Sequence, residues 1–551
     1  MGNRRGMAHA GRLVLAGRWF NRIEYSPNLQ ALAAGYRTRL AGGVALALGA
    51  YLFWRNPVVA TGAEVLAWLL LLWCLFLPIN RYWSVDAALD RLPRGRGWPA
   101  LPFFAMRLQI ASLYFFSALF KLEGEPWQQG YALIWTLQDT AFAATPAASF
   151  FVEHLPGLIM LVNYLVIAFQ LAFPYLIYSP WRNELTRAIA IAGSALMHLS
   201  FIAFMYIGPF PYICLIMLML LVPDRWIDCL LQRRRERLRG VAIYYEPGCV
   251  FCEKISRLLR EFLLVPEAKV RPASANHAAL RLLTRHRSWV VVEPSGKAHL
   301  KWRAMAYLLA QCALTKPLAW LMDLPILRPA MARLYDCIGA YRRTLGAVTR
   351  VLLPFRSDRP PGHFALALNG ALAALALLCN LVNLDQWTID RPQTRIHFTS
   401  YEGIRNGLQE LFALTQVHQD WALFSPIPTH FRWSFEFSAF DAAGHRSDVA
   451  AATPFLTVSD DGRVRPSRVY WALYFSHVQE FTEGEWAGLG AYICRAAARV
   501  DKPAVAVEVA VERAPVPPVL QEPGNEVRRR LPCPPAAAQA AAPQRQAASM
   551  P

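Results

Sequence analysis

Two pairs of residues in this chain are of types that do chemistry. Lys121 closes an apolar run, Tyr114-Phe115-Phe116-Ser117-Ala118-Leu119-Phe120-Lys121, and His198 lies within another. An amine withdrawn from water is a usable base, and an imidazole can supply a hydrogen bond or relay a proton. Two plainer readings stand beside this one: Lys121 snorkels at a membrane interface, and His198 is a hydrogen-bonded member of a helix bundle. The second pair is Cys249 and Cys252, in Tyr244-Tyr245-Glu246-Pro247-Gly248-Cys249-Val250-Phe251-Cys252. A helix N-terminus at Cys249 would stabilise its thiolate, and Cys252 could then resolve a mixed disulfide. Zinc would need more ligands. His277 and His286 are present but a second CxxC is not, so no metal site is assigned. Two inert thiols are the third reading.

The elements that must position Lys121 and His198 are apolar segments near residues 38–55, 58–79, 101–121, 156–178, 186–206, 208–223 and 363–384. Runs of about 17–25 apolar residues can cross the hydrocarbon core, so seven spans are expected. Arginines gather in alternate loops: Arg4, Arg5, Arg12, Arg18, Arg22 and Arg37 before the first span, Arg81, Arg91, Arg94 and Arg96 after the second, Arg182 and Arg187 after the fourth, and Arg233, Arg234, Arg235, Arg237 and Arg239 after the sixth. The positive-inside rule places these loops and the N-terminus in the cytoplasm and everything after the seventh span outside. Lys121 and His198 then both fall in the outer half of the bilayer, while the cysteines face the cytoplasm.

The fold class expected is a multi-pass α-helical membrane domain with an inserted thioredoxin-like α/β domain and a small β-rich C-terminal domain. The boundaries are 1–230 for six spans, 240–350 for the CxxC unit, 363–384 for the seventh span and 385–505 for an outer α/β or β-rich unit. Residues 512–551, rich in Pro, Ala and Gln, are expected to be disordered. In the CxxC unit, 241–245 reads as a strand, 253–264 as a helix, and Trp289–Val292 with Ala298–Trp302 as a hairpin. In the outer unit, residues 432–440 alternate and turn at Ala443-Gly444.

Composition supports the membrane reading: 55% of residues are apolar and only 17% charged. The net charge of +19 comes with arginines at the ends of apolar runs, a topology signal and not a nucleic-acid groove. No nucleic-acid partner is expected. The N-terminus lacks an apolar core followed by a small-residue cleavage site, so no cleavable signal is read there.

Phe116-Ser117-Ala118-Leu119-Phe120-Lys121-Leu122 with Trp127 and Gly130, and Met197-His198 with Ile207-Gly208-Pro209-Phe210-Pro211-Tyr212, resemble the vitamin K-dependent γ-carboxylase family. Residues 1–230 look like the wider HTTM group that contains it. The resemblance implies Lys121 as the base that deprotonates a reduced quinone such as vitamin K, with His198 in the same active site. It leaves the cofactor itself unknown. The loop between Lys121 and Trp127 departs from the carboxylase pattern, and no large lumenal substrate-binding region is evident.

The strand and CxxC, with Leu324-Pro325, Tyr335, Ile338 and Arg342, resemble the DCC family of thiol-disulfide oxidoreductases over roughly 240–348. That implies a redox-active Cys249–Cys252 disulfide. Glu246-Pro247-Gly248 stands where that family has Asp-Gly-Asp. The stretch Gln419-Asp420-Trp421-Ala422-Leu423-Phe424-Ser425-Pro426 is similar to a segment following the last span in bacterial HTTM fusions and is read as packing. Three functions stay open: a carboxylase-like membrane enzyme acting on a quinone-like or lipid-associated substrate, an anchored thiol-disulfide oxidoreductase, and a non-catalytic scaffold for protein maturation or export. The partners implied are the lipid bilayer and a protein substrate or redox partner, and the location is the bacterial cytoplasmic membrane.

Overall fold

A computed structural model describes residues 27–55, 61–90, 99–138, 145–263, 265, 268–356 and 361–389. It also describes 407–408, 411, 421, 423–425, 428, 431–453, 456–458, 464–466, 478, 481–499, 504–515 and 525–534. The N-terminal arginines up to Arg22, and Arg91, Arg94 and Arg96, lie outside the described residues.

The protein is an integral membrane protein built mainly of helices. Among the described residues, four helices are long and apolar enough to cross a bilayer: Ala100–Glu123, Pro156–Tyr178, Asn183–Phe204 and His363–Val382, the last being part of the longer helix His363–Ile389. The Ala100–Glu123 helix carries Lys121, and 67% of its apolar window is buried in the protein; in the other three most of the window is not. It is the central post, and the others leave apolar outer faces exposed. The helix starts after Pro99 and stops at Gly124, whose extended backbone breaks the ladder. Asn380 on the last helix donates to the Ser112 hydroxyl at 2.7 Å, tying that helix to the post despite the long insertion between them.

Of the seven expected spans, of which the first and sixth are short in the sequence already, the second and sixth are corrected in length. Gly62–Cys74 and Phe210–Leu221 are helical over only 13 and 12 residues. At 1.5 Å per residue each reaches about 20 Å or less, short of a hydrocarbon core of about 30 Å. Local chemistry sets their ends. Thr61 and Glu64 form a capping box before the first. Pro209 and Pro211 begin the second, after Gly208 has turned the chain through φ +72°. The two short helices pack against each other and fill the core beside Thr38–Arg55.

The CxxC unit holds a four-stranded sheet in the order Lys269–Pro272, Ala242–Tyr245, Val290–Val292, Ala298–Leu300. The first pair is parallel and the others antiparallel. The hairpin read from the sequence is present, with Gly296 at φ +90° in its turn. The strand Lys269–Pro272 and the helix His277–His286 are additional to the elements read from the sequence.

The C-terminal unit has a sheet in the order Asn525–Pro532, Ala506–Pro515, Phe431–Phe440, Arg446–Asp448, covered by the helix Glu483–Ala498. The expected disordered stretch from 512 is corrected here. Residues up to Pro515 and from Asn525 to Pro532 are strand, and Cys533 is disulfide-bonded to Cys494. Val527 and Leu531 pack toward the core shared with Phe437, Trp486 and Val509, while Arg528 and Arg530 alternate with them on the other face. Three arginines in a row masked that period-2 signal.

Candidate functional site

Tyr114, Ser117 and Lys121 sit at positions i, i+3 and i+7 of one helix and so form a single stripe. That stripe lines a cavity of about 650 Å³. His198 lines the same cavity from the neighbouring helix Asn183–Phe204. The structure therefore brings the first candidate pair together in one space, and the walls are otherwise mostly apolar. Such a size and character suit a lipid-soluble ligand.

Lys121 is buried, and the amine is held by three acceptors. Nζ donates to the Ser117 carbonyl at 3.1 Å, to Ser117 Oγ at 2.6 Å and to the Leu423 carbonyl at 3.4 Å. It also stands 5.1 Å from the centre of the Trp127 ring. The side chain is bent back along its own helix, not extended toward an interface, so the snorkelling alternative does not describe it. His198 is equally buried, with Nε2 2.9 Å from the Tyr114 hydroxyl. Edge contacts to Phe201 and Phe210 fix the ring. Phe210 reaches it because of the Gly208-Pro209 turn. The Nδ1 of His198 has no partner.

Sequence reasoning missed the contribution of the chain beyond the last span. Trp421, Leu423 and Phe424 line the cavity, and Trp421 is buried in the membrane core. Trp127 Nε1 donates to the Phe424 carbonyl at 2.8 Å. Consecutive carbonyls of an extended chain point to opposite sides. Here those of Leu423 and Phe424 both face inward, because Phe424 between them is left-handed, at φ +59°. That conformation costs about 1–2 kcal/mol for a residue with a side chain. The only sequence signal was the aromatic cluster itself.

One wall is open. Leu158, Leu165 and Leu196 line the cavity and are also exposed on the outer surface of their helices. The gap between Pro156–Tyr178 and Asn183–Phe204 thus gives onto the region lipid would occupy.

The second candidate pair is elsewhere. Cys249 caps the helix Val250–Phe262, its Sγ 3.2 Å from the Cys252 amide, and the two cysteines are disulfide-bonded. Gly248 at φ +77° makes the turn that delivers Cys249 to the helix end. The carboxylate of Glu246 lies within 4.8 Å of both sulfurs and is ion-paired with Arg342. Tyr335 accepts from the Trp289 amide at 3.3 Å. His277 and His286 are not among the groups that gather near the cysteines. The helix Val250–Phe262 docks on the short helix Val85–Leu89, through Trp83 to Glu261 at 2.7 Å and Arg257 to the Asp90 carbonyl at 3.3 Å. None of the four cysteine-site residues Glu246, Cys249, Cys252 and Arg342 lines the cavity that holds Lys121 and His198.

Residues 30–226 match the HTTM domain family model. The HTTM region holds Lys121, His198, Tyr114, Ser117 and Trp127, and so all of the polar stripe of the cavity. It ends before the CxxC unit and before the Trp421–Phe424 strap. No solved structure matches the chain.

Proposed function

We propose that this protein is a membrane enzyme of the vitamin K-dependent γ-carboxylase-like type, acting on a quinol-like or lipid-associated substrate. Lys121 is the base and His198 assists it. The observation that carries this reading is the single apolar cavity that joins Lys121 to His198 and opens sideways toward lipid. The walls fit such a group: an aromatic, apolar lining with a buried ring nitrogen, His198 Nδ1, that no protein atom satisfies. A reduced quinone would supply a dissociable hydroxyl and a ring able to react with oxygen.

The residues of the chain divide the work. Ser117 and Leu423 hold the amine of Lys121 in place. An ammonium has three N–H donors, and here three acceptors meet it. A base needs a lone pair, so the Leu423 carbonyl, the longest of the three contacts, is the one to give way when substrate enters. Tyr114 holds the His198 ring through Nε2, so that the imidazole keeps its place in the cavity wall. The strap and Trp127 exclude water from the outer end.

The test is turnover of menadiol with oxygen by the full-length protein in lipid nanodiscs, with and without bicarbonate and a glutamate peptide. Lys121→Ala should lower consumption of the quinol at least about a hundredfold, the range for loss of a general base. Equal consumption by wild type and Lys121→Ala would remove the proposal.

The Cys249–Cys252 disulfide at a helix N-terminus favours a second activity, thiol-disulfide exchange of the DCC type, at the opposite end of the membrane region. The proposed sides are cytoplasmic for this pair and external for the outer unit. The Cys494–Cys533 disulfide supports the latter, since such bonds persist in oxidising compartments. Reduced protein should reduce a glutathione-mixed disulfide through Cys249. Undiminished activity in Cys249→Ser would end the redox reading. Reporters fused near residues 350 and 450 test the orientation.

A further inference from the structure

The helix Arg342–Leu352 ends the CxxC unit, and its two faces differ. One face is covered. The Thr349 carbonyl accepts from Lys254 Nζ at 2.7 Å, Gly346 lies against Phe251, and Arg342 is ion-paired with Glu246. These partners lie on the helix Val250–Phe262 or just before it. The other face is bare. Tyr341, just before the helix, forms one stripe with Val348, Val351 and Leu352, and these side chains are from 46% to 75% exposed. A contiguous apolar stripe left open on a helix marks a surface that something covers.

Two observations favour lipid as the cover. The first is continuity with the membrane region. The Leu352 carbonyl accepts from the hydroxyl of Tyr36, two residues before the helix Thr38–Arg55. The Arg356 amide donates to the Leu89 carbonyl at 3.1 Å, and its guanidinium pairs with Asp86, whose carboxylate also takes the Thr38 amide at 2.9 Å. Only residues 353–362 then separate the stripe from His363–Val382, which is long and apolar enough to span. The stripe therefore ends where the chain enters its membrane helices.

The second observation is charge. Arg343 and Arg350 are exposed along one edge of the stripe. Across residues 316–352 six cations stand against two acids, and both acids are ion-paired, Asp323 with Arg328 and Asp336 with Lys301. An apolar face edged by arginines suits acyl chains beneath anionic headgroups.

We infer that the face of Arg342–Leu352 carrying Val348 and Val351 is a membrane-surface site that docks the CxxC unit on anionic phospholipid of the bilayer this chain spans. The inference does not depend on the ligand of the cavity. The cysteine site is then one helix away from lipid, because Arg342 on that helix holds Glu246, whose carboxylate lies within 4.8 Å of both sulfurs.

The experiment is photocrosslinking of the full-length protein carrying Val351→benzoylphenylalanine, with adducts identified by mass spectrometry. The protein is held in nanodiscs of phosphatidylcholine alone, or of equal parts phosphatidylcholine and phosphatidylglycerol. Lipid adducts should form at position 351, and their yield should be at least about fivefold higher with phosphatidylglycerol, the value of one basic residue near an anionic surface. Arg343→Gln combined with Arg350→Gln should remove that excess without lowering the unfolding temperature, since both side chains are exposed. Adducts to a second copy of the chain, to another segment of the same chain, or to no lipid at all would overturn the inference. Equal yields in the two discs would overturn the anionic-lipid assignment, and that comparison stands without the arginine variant.

Discussion

The Nζ of Lys121 lies 3.4 Å from the carbonyl oxygen of Leu423, a residue 302 positions further along the chain. The lysine belongs to the central helix of the membrane region, and the carbonyl to the segment that follows the last long helix. The cavity is therefore completed by two distant parts of the sequence. The neighbouring bond from Trp127 to the Phe424 carbonyl, at 2.8 Å, fastens the same strap.

Trp127→Phe keeps the ring and removes the donor. The Phe424 carbonyl would lose its indole partner, at a cost of about 1–3 kcal/mol. Hydrogen exchange of the backbone around 421–425 should accelerate while the CxxC unit is unchanged. Unaltered exchange would mean that the strap is held by packing alone.

Gly193 lies where a Cβ would come within 2.5 Å of the Phe169 ring, and both residues line the cavity. In Gly193→Ala the end of that ring must swing aside. The helix itself gains up to about 1 kcal/mol of propensity. The expected outcome is a protein as stable as wild type that binds menadiol several-fold more weakly. Unchanged binding would place the ligand away from the gap between these two helices.

The Cys494–Cys533 disulfide closes a separation of 39 residues and lies in the core of the C-terminal unit. Replacing both cysteines by serine should destabilise that unit by about 3 kcal/mol. Limited proteolysis within residues 431–533 should then become rapid, and dithiothreitol should reproduce the effect in wild type. Equal resistance with and without the bond would contradict its structural role.

Lys121, His198, Cys249 and Cys252 were legible in the sequence because each interrupts a pattern: a charge or an imidazole in an apolar run, and two thiols at a strand-to-helix junction. The strap was not legible, because it acts on Lys121 through backbone carbonyls, which carry no residue signature. The short helix Gly62–Cys74 resembled a full span because hydropathy does not see the cap at Thr61 that begins it. The terminal strand Asn525–Pro532 was concealed by the arginines on its outer face.

Photolabelling in native membranes with an azido-naphthoquinone, mapped by mass spectrometry, tests the cavity most directly. Labelled peptides should come from 113–137, 158–170 and 196–210, and excess menadiol should suppress them. Lys121→Met should reduce the labelling about tenfold, as expected for losing a hydrogen bond to a charged group. Labelling spread over other helices, or undiminished in Lys121→Met and in the presence of menadiol, would contradict a quinol site at Lys121 and His198.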